Sequence, residues 1–124
     1  MAKSIKYILR KTGSYKVTGS LWMEFDEDRF FGPGRAELLE RIDQTGSINQ
    51  AAKQMRMSYK KAWDMITMLN KQAKHPVVIL RAGGERGGGA RITEEARELI
   101  AYHRLLRERF TAFLEKETRK LNDI

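Results

Sequence analysis

Four cations, Lys53, Arg56, Lys60 and Lys61, fall within "KQMRMSYKK", and no carboxylate stands among them. Side chains of this type at this density bind phosphate oxygens, as charge-assisted hydrogen-bond donors and as point charges. Their placement sharpens the chemistry. Ser58 is suited to cap a helix that opens at Tyr59, which puts Lys60 and Lys61 in its first turn. The helix dipole disfavours cations there by a few tenths to about 1 kcal/mol. A phosphate at that end reverses the sign, because the free N–H groups and both lysines then bind it together. A local rule broken in this way points to function; the plain alternative is a solvated basic face.

A second cationic stretch is "RAGGERGGGAR", in which Arg81, Arg86 and Arg91 are spread among five glycines. Glycine turns with positive φ and lets a backbone come close to a sugar-phosphate surface. The three guanidinium groups then reach phosphates or the minor groove. A nucleotide-binding loop is excluded: it needs a lysine and Ser/Thr directly after the glycines and a helix opening there, whereas "ARI" follows and reads as a strand. The alternative is a flexible, solubilising hairpin tip.

Charge over the whole chain agrees, with a formal net charge of +8 in 124 residues, an excess that attracts polyanions. There is no cysteine, so disulfides and thiolate metal sites are excluded. His75 and His103 have no paired spacing, so neither a metal nor another cofactor is expected. No run approaches the roughly 18 apolar residues of a membrane span, and the basic start "MAKSIKYILRKTG" is too interrupted for a signal peptide. The expected compartment is the cytoplasm. No set of nucleophile, base and orienting group suggests an enzyme.

Several elements must position these cations. "KVTGSLWMEF" alternates, with Val17, Leu21, Met23 and Phe25 on one face, and reads as a half-buried strand. In "FGPGRAELLERIDQTG" Pro33 opens a helix, Gly46 closes it, and Leu38, Leu39 and Ile42 form its stripe. Ser47 and Gln50 have capping-box spacing ahead of a short helix. After the break at "MRM", the helix from Ser58 carries Ala62, Trp63, Ile66, Leu69 and Asn70 at helical spacing, with Trp63 directed to the core. "VVILR" and "ARI" form a hairpin around the glycine loop. From Thr93, a cap, a helix continues to about Lys120, striped by Ala96, Leu99, Ile100, Leu106, Phe110, Phe113 and Leu114. At about 1.5 Å per residue it is too long for this domain's own core to cover. His103 is expected on its surface or at an interface.

Two short helices across a tight turn, then a hairpin, describe a winged helix-turn-helix. The fold class is mainly α with a small β-hairpin wing (α+β), ending in a long C-terminal dimerisation helix. The pattern meets the requirements for small residues at Ala52 and Ala62 and for apolar residues at Met55, Met57 and Ile66. Arg56 takes the turn position often given to glycine and must be strained. The expected contacts are Ser58, Tyr59, Lys60, Lys61, Asp64 and Thr67 on the second helix, with Asp64 fixing a neighbouring lysine. Ser47, Gln50, Lys53 and Arg56 add contacts from the first helix and turn. Arg81, Gly84, Arg86, Gly87, Gly88 and Arg91 supply those of the wing.

With "FGPGRAELLERI", "TGSINQAAKQM", "MSYKKAWDMITMLN" and "GGERGGGARIT" in view, the chain resembles the N-terminal DNA-binding domain of ModE, the molybdate-responsive bacterial regulators. More distantly it resembles the headpiece of LysR-type regulators. The resemblance runs from about Leu21 to Leu114, and Ala96 stands where relatives often have glycine. It implies a homodimer joined through the first and last helices, with Leu99, Leu106, Phe110, Phe113 and Leu114 at the interface. It also implies that the helix from Tyr59 lies in the major groove, with Arg86 and its glycines as the wing. The expectation is a cytoplasmic, dimeric regulator of transcription that binds double-stranded DNA. Residues 1–15 would be a basic arm or extra strand and residues 16–124 the DNA-binding domain. A molybdate-binding domain is not expected within the chain, and no effector is assignable to it. Two alternatives stand beside this reading: an adaptor that docks proteins through the long helix, and an architectural DNA binder indifferent to sequence.

Overall fold

Gly32 and Pro33 set the entrance to the first long helix. The Trp22 ring lies over Gly32 so closely that a Cβ there would meet it at 2.5 Å, and the Arg29 guanidinium lies over that ring, 4.2 Å from its centroid. The structure is a computed structural model that describes residues 4–81 and 89–124. An antiparallel hairpin, β1 (Met23–Phe25) and β2 (Asp28–Phe31), leads into α1 (Pro33–Thr45), which has proline at its start and a left-handed Gly46 (φ 69°) at its end. Then come α2 (Ile48–Gln54), α3 (Tyr59–Gln72), a second antiparallel hairpin of β3 (Val78–Leu80) and β4 (Ala90–Ile92), and α4 (Glu94–Asn122). In that hairpin Val78 pairs with Ile92 and Leu80 with Ala90.

The core gathers one face from each element: Phe31, Leu38, Leu39, Ile42, Ala51, Ala52, Ala62, Ile66, Leu69, Val77, Ile92 and Ala96 are all buried. Polar side chains fasten its edges. The Asn70 carboxamide accepts from the Val77 N–H (2.8 Å) and donates to the Val78 carbonyl (3.1 Å), which clasps the end of α3 to β3. The Thr93 hydroxyl donates to the Pro76 carbonyl (2.8 Å) while accepting from the Ala96 N–H (3.2 Å), so it caps α4 and ties it to the hairpin. Among the described residues, no helix is long and apolar enough to cross a membrane.

The structure corrects the sequence reading of the first strand. The strand expected over "KVTGSLWMEF" is only Met23–Phe25, and it pairs with a strand at Asp28–Phe31 that the sequence reading missed. Asp26 and Glu27 make the two-residue turn at φ 49° and 70°. Phe25 is exposed, not inward. Residues 4–15 hold a single 3₁₀ turn, Ile5–Tyr7, and no strand.

Residues 15–19 then run along the far half of α4. The Tyr15 N–H donates to Asn122 Oδ1 (2.9 Å), Asn122 Nδ2 donates back to the Tyr15 carbonyl (2.8 Å), and the Val17 N–H donates to Thr118 Oγ1 (2.9 Å). Gly19 abuts Phe110, where a Cβ would lie 3.0 Å from the ring. The chain therefore covers part of the α4 stripe by itself. Val17 is half-buried because it lies on this helix, not because it belongs to a sheet.

His103, expected on the helix surface or at an interface, is instead 2% exposed within the chain's own core, with its ring edge-on to Phe31 at 5.2 Å. Its Nε2 has no hydrogen-bond partner among the described residues. Burial pushes its pKa below the ordinary histidine value; the Arg107 cation adds to this and Glu40 opposes it. The imidazole thus serves as a neutral core aromatic.

Candidate nucleic-acid interface

Ser58 caps α3 as expected, its hydroxyl accepting from the Lys61 N–H at 3.0 Å, and Ser47 caps α2 in the same way from the Gln50 N–H at 3.1 Å. Lys60 and Lys61 therefore sit in the first turn of α3, which contains no acidic residue. Tyr59, Lys60, Lys61, Asp64 and Thr67 are exposed on this helix, as are Gln50, Lys53 and Arg56 on and after α2. Lys60 Nζ lies 3.0 Å from Asp64 Oδ2, the pairing expected for that carboxylate. Both side chains are largely in solvent, so this pair adds little stability, and the ammonium keeps two donors for another acceptor.

A shallow hollow gathers Ser58, Lys60, Lys61 and Asp64 with Arg35, Met65 and Met68. Arg35 was not anticipated, since nothing in "GPGRAE" marks it. Its Nη1 donates to the Arg29 and Phe30 carbonyls (2.8 and 2.6 Å), and burial, assisted by the Arg29 cation, lowers its pKa. It thereby ties α1 to β2 beside the lysines. A second hollow gathers Ser47, Gln50 and Tyr59 with Arg81. Lys53, Arg56, Thr67 and Arg91 are exposed but line neither of the two.

Trp63 departs from expectation. It is 38% exposed rather than in the core, and its ring stacks with Tyr59 at 6.1 Å and 27°. The α3 residues that reach the core are Ala62, Ile66 and Leu69.

The turn between α2 and α3 is the strained one foreseen. Arg56 has φ 56°, with the Arg56 N–H bonded to the Lys53 carbonyl (3.1 Å) and the Met57 N–H to the Ala52 carbonyl (3.0 Å). A left-handed conformation is costly with a Cβ and free without one. Arg56→Gly is expected to stabilise the fold by about 0.5–1 kcal/mol while weakening polyanion binding. Urea unfolding and a binding titration on the same sample check both signs; a loss of stability would show that the arginine side chain holds the turn.

At the wing base, the Arg81 N–H donates to the Gly89 carbonyl (2.8 Å) and the Ala90 N–H to the Gly46 carbonyl (2.9 Å), joining the hairpin to the end of α1. Arg81 and Arg91 are exposed there. The expected contacts Gly84, Arg86, Gly87 and Gly88 lie outside the described residues.

On α4, which has 29 residues and is thus about 44 Å long, full burial ends at His103. Leu99, Leu106, Phe110 and Leu114 are partly covered, and Phe113 is 55% exposed. Two ion pairs, Arg97–Asp43 (2.9 Å) and Arg104–Glu40 (3.4 Å), brace the near half against α1.

Helix, capped turn, helix, then hairpin and long helix define a winged helix-turn-helix, in which α3 is the exposed member of the motif. No protein-family model matches the chain. It is 41% identical over 90 residues (73% of this chain, 33% of that protein) to the molybdenum transport protein ModE of Azotobacter vinelandii. Over 86 residues (69% and 33%) it is 40% identical to the DNA-binding transcriptional dual regulator ModE of Escherichia coli strain K12. Over 83 residues (67% and 31%) it is 42% identical to the molybdenum-pterin-binding protein MopA of Rhodobacter capsulatus. The chain is thus ModE-like across most of its length, and it spans about a third of the length of these relatives.

Proposed function

We propose that the chain is a DNA-binding transcription regulator of ModE type rather than an enzyme, acting in the cytoplasm as a homodimer on double-stranded DNA. The observation that carries this reading is the first turn of α3, exposed, capped and free of acid, with Lys60 and Lys61 on it. Lys53, Arg56, Arg81 and Arg91, also exposed, supply further phosphate contacts in this reading, as do the wing residues Gly84, Arg86, Gly87 and Gly88. Affinity then comes largely from phosphate contacts and falls steeply with salt. Residues 16–124 act as one DNA-binding domain and residues 1–15 as an arm. The names of the relatives support regulation of transcription.

Dimerisation is part of the proposal. The face of α4 left uncovered by the chain's own residues 15–19 presents Tyr102, Leu105 and Phe113, all well exposed. A second copy packed there through α1 and α4 would space two α3 helices for half-sites about 34 Å apart.

The test is a binding titration at several salt concentrations. Lys60→Ala should weaken binding and flatten the slope of log K against log salt by about one unit; an unaltered slope would remove that lysine from the interface. Competition with random DNA separates a regulator, for which 10³-fold or greater discrimination is typical, from an architectural protein, expected below about tenfold. A monomer in solution that binds no duplex would favour the adaptor.

A further inference from the structure

Trp63 is partly exposed and stacks on Tyr59 rather than entering the core. It is the ridge between two hollows. One, of about 700 Å³, is bounded by Ile48, Gln50, Tyr59, Leu80 and Arg81; the other lies toward Ile66, Val78 and Leu80. Trp63, Tyr59 and Leu80 are 38%, 50% and 52% exposed, and the two aromatic rings lie nearly parallel, 27° apart. Among the described residues this apolar patch is open to water and has Arg81 on the rim of its hollow, while Lys60 and Lys61, on the same helix end, line the separate hollow around Asp64 and Met65. Ordinary surfaces scatter single apolar residues; a clustered apolar patch beside Arg81, on a helix whose first turn carries two lysines, suits a ligand that is apolar in one place and anionic nearby.

On the reading that this face docks on duplex DNA, we propose that Trp63, backed by Tyr59, receives the 5-methyl group of a thymine and so makes the protein select thymine at that position. In a duplex the bases are stacked and paired, so their faces are closed to a side-chain ring. What the major groove offers instead is base edges, and the thymine methyl is their one apolar group. The geometry of α3 suits that target. Lys60 and Lys61 hold the helix end to phosphate, and Trp63 stands four residues, about 6 Å, after Tyr59, deeper along the helix than the phosphate contacts. Arg81, across the hollow, meets the strand that borders the groove.

The test begins with duplexes selected by the full chain from a randomised library. Each thymine of a selected duplex is then replaced in turn by deoxyuridine, which deletes only the methyl group. The wild-type chain should lose about fourfold in affinity at one such position, the equivalent of withdrawing one methyl from water. Trp63→Ala should bind the thymine and uracil duplexes equally there, and Trp63→Phe, which keeps a ring, should retain part of the preference. Three results would overturn the proposal: no thymine whose methyl matters, a preference that persists in Trp63→Ala, or an equal loss on all duplexes including random ones, which would mean packing on deoxyribose. Because the uracil scan needs only the wild-type chain, poor folding of a variant does not blunt it. Failure of the wild-type chain to bind any duplex would instead overturn the DNA-binding reading itself.

Discussion

Replacing Lys53, Arg56, Lys60 and Lys61 together by alanine should lower affinity for duplex DNA roughly a thousandfold at about 0.15 M salt, with the fold intact. Each phosphate neutralised contributes about 0.9 to the salt slope, so removing four should flatten it by about 3.6. The fold should survive for identifiable reasons. None of the four is buried, and the one ion pair they make among the described residues, Lys60–Asp64, is solvent-exposed. Alanine also relieves two cations at the unfavourable end of the α3 dipole and is the better helix former. Fluorescence anisotropy at several salt concentrations measures the slope, and circular dichroism checks the fold. A loss under tenfold, with the slope nearly unchanged, would move the phosphate contacts elsewhere, to the wing or to α4.

The second large effect is on stability. Phe31 is fully buried at the end of β2, where its ring meets His103 edge-on and lies 6.2 Å from Phe30. Phe31→Ala should cost about 3–5 kcal/mol, the loss of transfer free energy plus the cavity left behind. That is a large share of the 5–15 kcal/mol typical of a whole domain. The cavity would also expose the neutral His103 imidazole, whose burial depends on that ring. Phe31→Leu should cost much less, because it keeps most of the volume. The urea midpoint of each variant measures the difference. If Phe31→Ala cost less than about 1 kcal/mol, the first hairpin would lie outside the cooperative core.

The elements with strong local signals were legible in the sequence. Pro33 and Gly46 bracket α1, Ser47 and Ser58 cap α2 and α3, and Thr93 caps α4; the structure shows each of these. Arg56 was foreseen as strained because the motif requires a left-handed residue where no glycine stands. What was not legible depended on contacts distant in sequence. The first hairpin turns on Asp26–Glu27, without the Asn-Gly or Asp-Gly signal of a two-residue turn, so β2 passed unnoticed. Periodicity placed Trp63 with the core and His103 at the surface or an interface, whereas Trp63 is partly exposed and His103 lies in the core. The inner face of α3 is taken by Ala62, Ile66 and Leu69, while Phe31, from the unseen strand, packs edge-on against the imidazole. Val17 read as a strand residue because an extended segment lying on a helix has the same alternation as one lying in a sheet. In the candidate site, the cations of α3 were legible from their types alone. Arg35 was not, because only the turn of β2 into α1 brings it beside them.

The clasp between Tyr15 and Asn122 joins positions 107 residues apart. It makes a noncovalent ring of the polypeptide, with the whole motif threaded between two hydrogen-bonded neighbours. Fraying at either strand of the clasp releases the other, so the amides of Tyr15 and Val17 should exchange hydrogen with the last turns of α4 as one opening unit. An oligomer that gripped this helix would steady a segment far away in sequence without touching it.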